Sequence, residues 1–185
     1  MDAPRAAALV LLPLLAAACA SVPSPPAPPT PAGTPLPNFS FAHDFGNCSA
    51  GAAPVVLKAN PGEVRVAGEV WVPNPCHKLA AWPRTAPGEV VLDITRHPSP
   101  SACVQCVGAI PFAASVGSLE RGVTAVRVVV NGSELANATL YVPGPDERAP
   151  ACGGSARLPC LAGHRCVPAG TLPDAGGFCV PEGAA

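Results

Sequence analysis

The chain has 185 residues and a net charge of −1, with charged side chains at only 12% of positions, which leaves no electrostatic footprint for nucleic acid or an anionic membrane surface. Apolar residues make up 49%, but alanine and valine supply much of that and only eight residues are aromatic, so the core is small and one domain plus a small module is the limit. Nine cysteines are foreign to a reducing cytosol, where disulfides do not persist.

The N-terminus reads as an address. Arg5 precedes an apolar run from Ala6 to Ala18 broken only by Pro13, too short to span a bilayer as a mature helix and suited to a signal-peptide core over residues 1–20. Its end, Leu15-Ala16-Ala17-Ala18-Cys19, resembles the bacterial lipobox, in which a cysteine receives diacylglycerol and becomes the new N-terminus. Ala16 departs from it by standing where leucine is preferred. The resemblance implies lipidation at Cys19 and a bacterial envelope location; cleavage after Ala20 would give a secreted protein instead. Either way Cys19 leaves the disulfide count, and the remaining eight cysteines suit four bridges. A eukaryotic secreted glycoprotein is the other alternative, because Asn38, Asn47, Asn131 and Asn137 all begin glycosylation sequons.

Residues 21–37, SVPSPPAPPTPAGTPLP, hold eight prolines in seventeen positions and read as a semi-rigid polyproline stalk. From 38 to 145 the chain alternates apolar and polar residues with β-branched enrichment, the mark of strands. The expected strands are Val55–Lys58, Glu63–Val72, Glu89–Thr95, Cys103–Ala114, Val123–Val130 and Leu135–Val142, with no helix. Turn chemistry at Asn60-Pro61-Gly62, Ala86-Pro87-Gly88 and Asn131-Gly132 separates them, the last closing a hairpin. Short strands at this spacing predict an all-β fold, an immunoglobulin-like β-sandwich, with a small open barrel as the alternative. Asp93 alternates outward and is expected to pair with Arg96 or Arg127.

After a polar linker at Pro143–Arg148, residues 150–182 carry Cys152, Cys160, Cys166 and Cys179 with few apolar residues, so bridges must replace a core there. The linker predicts two independently folded pieces, with Cys48, Cys76, Cys103 and Cys106 pairing among themselves and the tail cysteines likewise. Cys76–Cys103 with Cys48–Cys106 is favoured, because a bridge from Cys103 to Cys106 would close within one extended strand. In the tail, Cys152–Cys166 with Cys160–Cys179 is favoured.

Two runs carry resemblances. Pro73-Asn74-Pro75-Cys76-His77 followed by Cys103-Val104-Gln105-Cys106 resembles a family of small secreted or lipid-anchored prokaryotic domains, one with no activity to carry over; the resemblance spans Glu63 to Val130, and Cys106 departs from it. The tail pattern Cys152-Gly153-Gly154, Cys160, Gly163-His164-Arg165-Cys166 and Gly177-Phe178-Cys179-Val180-Pro181 resembles a short cysteine-rich module of secreted bacterial proteins. It is also similar to the cores of some small extracellular protease-inhibitor and growth-factor-binding modules, which would put an inhibitory contact in the loop Val167–Phe178.

Catalytic chemistry is sparse. Cys76, His77, Cys103 and Cys106 have zinc-ligand chemistry, but an exported address favours disulfides, and a chain whose only methionine is Met1 offers no thioether for copper. Neither a nucleophile elbow, a phosphate loop nor a paired-carboxylate cluster is present, so no cofactor is implied and a non-enzymatic binding module is the expected function. Its expected partner is a protein or glycan outside the cytoplasm, with the membrane reached through the lipid and no nucleic acid involved.

Overall fold

Side chains two apart on a strand share a face, so a strand with valine or leucine at every second position buries one side only. In the computed structural model, which describes residues 38–49, 51–100, 102–147 and 152–183, that rule shapes the central strands of the first sheet, while β6, over Glu89–His97, buries three successive residues. The expected signal segment, the stalk and Cys19 lie outside the described residues. Strand β4 (Glu63–Val72) shows the rule well: Val64, Val66, Val70 and Val72 are buried while Arg65 and Trp71 stand outside.

One sheet contains β1 (Phe39–His43), β2 (Asn47–Cys48), β3 (Val56–Asn60), β4 and β7 (Gly108–Gly117), in the order β1-β7-β4-β3 with β2 also paired to β7. The other has the order β5-β6-β8-β9, from β5 (Lys78–Ala86), β6 (Glu89–His97), β8 (Gly122–Val130) and β9 (Ser133–Val142). Their inner faces share one apolar cluster that includes Leu57, Val66, Ile110 and Phe112 from the first sheet and Leu92, Ile94, Val128 and Leu140 from the second. This is a β-sandwich, as the alternation predicts. Three hairpins close through two residues each, Pro61-Gly62, Pro87-Gly88 and Asn131-Gly132, and all three glycines have positive φ (67°, 72° and 82°). Asn131 shares that geometry at φ 49°, the double left-handed turn that Asn-Gly favours. A feature the alternation does not disclose is that β6 and β8 pair in parallel.

Several boundaries differ from expectation. The strand expected over Cys103–Ala114 begins only at Gly108, because residues 103–107 are held as a loop by disulfides. No strand spans Cys103 to Cys106, so extended geometry is not what keeps these two apart, and the bridges present are the expected Cys76–Cys103 and Cys48–Cys106. Strands β1, β2 and β5 were not expected. Proline hides two of these pairings: Pro83 lies in β5, an edge strand that tolerates a missing donor, and Pro111 lies in β7. Pro111 faces the gap between β1 and β2, where its carbonyl accepts from Asp44 N at 3.1 Å and no donor is needed in return. Reading β5 as non-strand also misplaced Asp93, which pairs with Arg84 of β5 at 2.6 Å. Arg127 instead meets Glu134 at 3.2 Å, and the Arg96 guanidinium donates to the Trp71 carbonyl at 3.0 Å.

The tail forms a third sheet, with β12 (Gly176–Pro181) between β10 (Cys152–Gly153) and β11 (His164–Pro168). It is docked on the sandwich rather than standing apart from it. Residues 169–171 lie along the open edge of β3: Ala59 N donates to Ala169 O at 2.6 Å, Thr171 N to Leu57 O at 2.9 Å, and Leu57 N to Thr171 Oγ1 at 2.9 Å. Phe178 stacks on Tyr141 of β9 with centroids 4.8 Å apart, and Val167 and Val180 are buried in the same cluster. The linker is fixed as well. Glu147 accepts from Gly144 N at 2.8 Å and from the Tyr141 hydroxyl at 3.1 Å, and it pairs with Arg121 at 2.5 Å. A chain so tied has no free hinge at Pro143–Glu147.

Candidate functional site

The motif Pro73-Asn74-Pro75-Cys76-His77 follows β4 at one end of the sandwich. Asn74 organises it: its Oδ1 accepts from Cys76 N at 3.3 Å, the side-chain turn that asparagine before proline favours. The His77 Nδ1 lies 3.0 Å from the Asn74 carbonyl, which can only accept, so Nδ1 carries the proton. His77 therefore braces a turn. The other histidines also have local partners: His43 with the Asp44 carbonyl, His97 with Thr95 Oγ1 and His164 with the Ala162 carbonyl.

This turn packs on backbone. A Cβ at Gly46 would stand 2.6 Å from Pro75 O, and one at Gly108 would stand 2.7 Å from Asn47 O, so both positions require glycine for the approach. Two bridges then fasten the same three segments: Cys76–Cys103 ties the turn to the loop before β7, and Cys48–Cys106 ties that loop to β2. The loops at this pole are thereby fixed from both sides. Their apolar side chains point outward nonetheless. Phe45 is 97% exposed, so almost none of this large aromatic is covered, and Val104 and Val107 are 60% and 58% exposed.

The sulfurs weighed as zinc ligands at Cys76, Cys103 and Cys106 are consumed in these bridges, which leaves no thiolate there. In the tail, Cys152 Sγ, Cys160 Sγ and Cys166 Sγ lie within 4.8 Å of one another, but they too are bridged, as Cys152–Cys166 and Cys160–Cys179. The pairing is the one favoured from the sequence. Among the described residues, none of the four bridges joins the sandwich to the tail.

The loop assigned to an inhibitory contact, Val167–Phe178, is divided by the fold. Its first part lies along β3 and Phe178 is packed on Tyr141, which leaves Leu172, Pro173 and Asp174 as an exposed tip. The four sequon asparagines, Asn38, Asn47, Asn131 and Asn137, are all exposed. Asn131 also serves the hairpin, its Oδ1 accepting from Arg96 N at 3.0 Å. Phe45, Val104 and Val107 were not foreseen as a set. The only sequence signal was apolar residues placed beside cysteines in segments too irregular to be strands.

Four disulfides are the mark of a protein that folds outside the reducing cytosol. Fold and site define a class, the disulfide-stapled β-sandwich with a docked cysteine-rich module. Comparison of the chain with known families, with curated proteins and with solved structures finds no match at any of the three levels.

Proposed function

We propose that this is an exported, lipid-anchored, non-catalytic envelope protein that binds a protein partner through the pole bearing Phe45, Val104 and Val107. The observation that carries the reading is a 97% exposed phenylalanine on loops that two disulfides hold in place. An exposed aromatic supplies a large apolar area on binding, and a surface that is already rigid loses little entropy when a partner settles on it. Chain direction supports the assignment. A chain tethered through Cys19 reaches the sandwich at Asn38, beside Gly117, whereas Phe45 lies at the Val72 and Gly108 end. Along the ten residues of β4 the two ends are about 30 Å apart, so the apolar pole lies at the end of the sandwich opposite Asn38.

Anchoring and binding are tested separately. Palmitate should label the chain in a bacterial host and Cys19→Ala should abolish the label; a mature protein that begins at Ser21, unlabelled, would remove the anchor. For binding, a photo-crosslinking amino acid at Phe45 should capture one discrete envelope protein, and the same probe at Leu135, an exposed residue of β9, should not. Equal capture at both positions, or a glycan adduct at Phe45, would overturn the protein-binding reading.

A further inference from the structure

Where the tail meets the sandwich it does not close completely. A cleft of about 600 Å³ remains between the β3–β4 hairpin, the linker and the tail, within the size range of small-molecule sites. It opens near Pro61, at the Asn38 end of the sandwich and away from the pole described above. Its walls are largely apolar, with Pro143 and Pro145 from the linker and Leu172 and Phe178 from the tail.

Two charged residues line it, and only one has its charge answered. Glu147 is matched by Arg121 and also accepts from the Tyr141 hydroxyl and Gly144 N. Lys58 has no carboxylate in any ion pair among the described residues. Its cross-strand neighbour is Arg65, another cation already paired with Glu63, and the residue facing it across the sheet edge is Gly170, which has no side chain to cover it. An apolar cleft with one unanswered positive charge is complementary to a molecule with an apolar body and a single anionic group.

We infer that the cleft between β3, the linker and the tail binds a small amphiphilic anion, with its apolar body against Leu172 and Phe178 and its charge at Lys58. This site is separate from the pole proposed to bind a protein, and either can fail without the other. The probes are 8-anilinonaphthalene-1-sulfonate, an aromatic anion, and N-phenyl-1-naphthylamine, a neutral molecule of similar size. The oxidised full-length protein should bind the sulfonate saturably at one site. Lys58→Glu should weaken the sulfonate by tenfold or more and change the neutral probe less than twofold, whereas Leu172→Asn should weaken both. Phe45→Asp, at the far pole, should alter neither. Both exchanges in the cleft are at exposed positions, and an unchanged melting temperature without probe shows that the variants fold. Non-saturable binding, an equal effect of Lys58→Glu on both probes, or loss of binding in Phe45→Asp would each overturn the assignment.

Discussion

Truncation after Glu147 should destabilise the sandwich by about 4 kcal/mol and make it associate with further copies of itself. The truncation removes three hydrogen bonds to the edge of β3, made by Ala169 and Thr171, each worth about 1 kcal/mol net. It also removes the Phe178 ring from Tyr141, a stacked pair worth about 1 kcal/mol beyond its buried area. Tyr141, only 6% exposed in the intact chain, is then uncovered along with Val123, which packs in the same cluster. Against a typical total of about 5–15 kcal/mol this is a large fraction. The second effect follows from geometry: the outward N–H and C=O of Leu57 lose their partners, and an unpaired strand edge invites pairing with another chain. Denaturant midpoints and sedimentation of the truncated and full-length chains check both effects. A truncated sandwich that unfolds at the same midpoint and sediments with the same number of copies as the full-length chain would mean that the tail is an appended knob.

That docking was not legible in the sequence, and the reason is physical. Alternation reports which residues of one strand face inward, so β4, β6, β8 and β9 could be read locally, as could the Asn131-Gly132 turn. A strand edge carries no such mark, because its open hydrogen bonds belong to the backbone and any residue supplies them. Nothing in the run from Ala169 to Thr171 distinguishes a loop in solvent from a loop lying along β3. Phe178 and Tyr141 are lone aromatics whose meeting depends on the path of the linker. The pole was half legible. Its motif and bridges could be argued from cysteine spacing, but the exposure of Phe45 could not, since an apolar residue in a short strand-like segment is ordinarily assigned to the core.

The two bridges of the pole provide the other large effect. In the chain-entropy account a bridge stabilises by shortening the unfolded chain's freedom, and the gain grows with the logarithm of the loop it closes. Cys48–Cys106 spans 58 residues and Cys76–Cys103 spans 27, so taken singly the outer bridge should be worth more. The two are nested, however. With Cys76–Cys103 in place, the unfolded chain from Cys48 to Cys106 is already shortcut through the inner bridge, and the outer one closes a loop of only about 30 residues. The paired variants Cys48→Ala/Cys106→Ala and Cys76→Ala/Cys103→Ala should therefore lose similar amounts, about 3–4 kcal/mol each. Removing all four cysteines should cost more than either pair and leave the pole loops open to proteolysis near Val104, because Gly46 and Gly108 hold the turn by close approach alone. Chemical denaturation of the three variants under oxidising conditions measures this. A loss from the outer pair far exceeding that from the inner pair would mean that its contribution comes from native contacts at β2, and that chain entropy does not set the strength of this clamp.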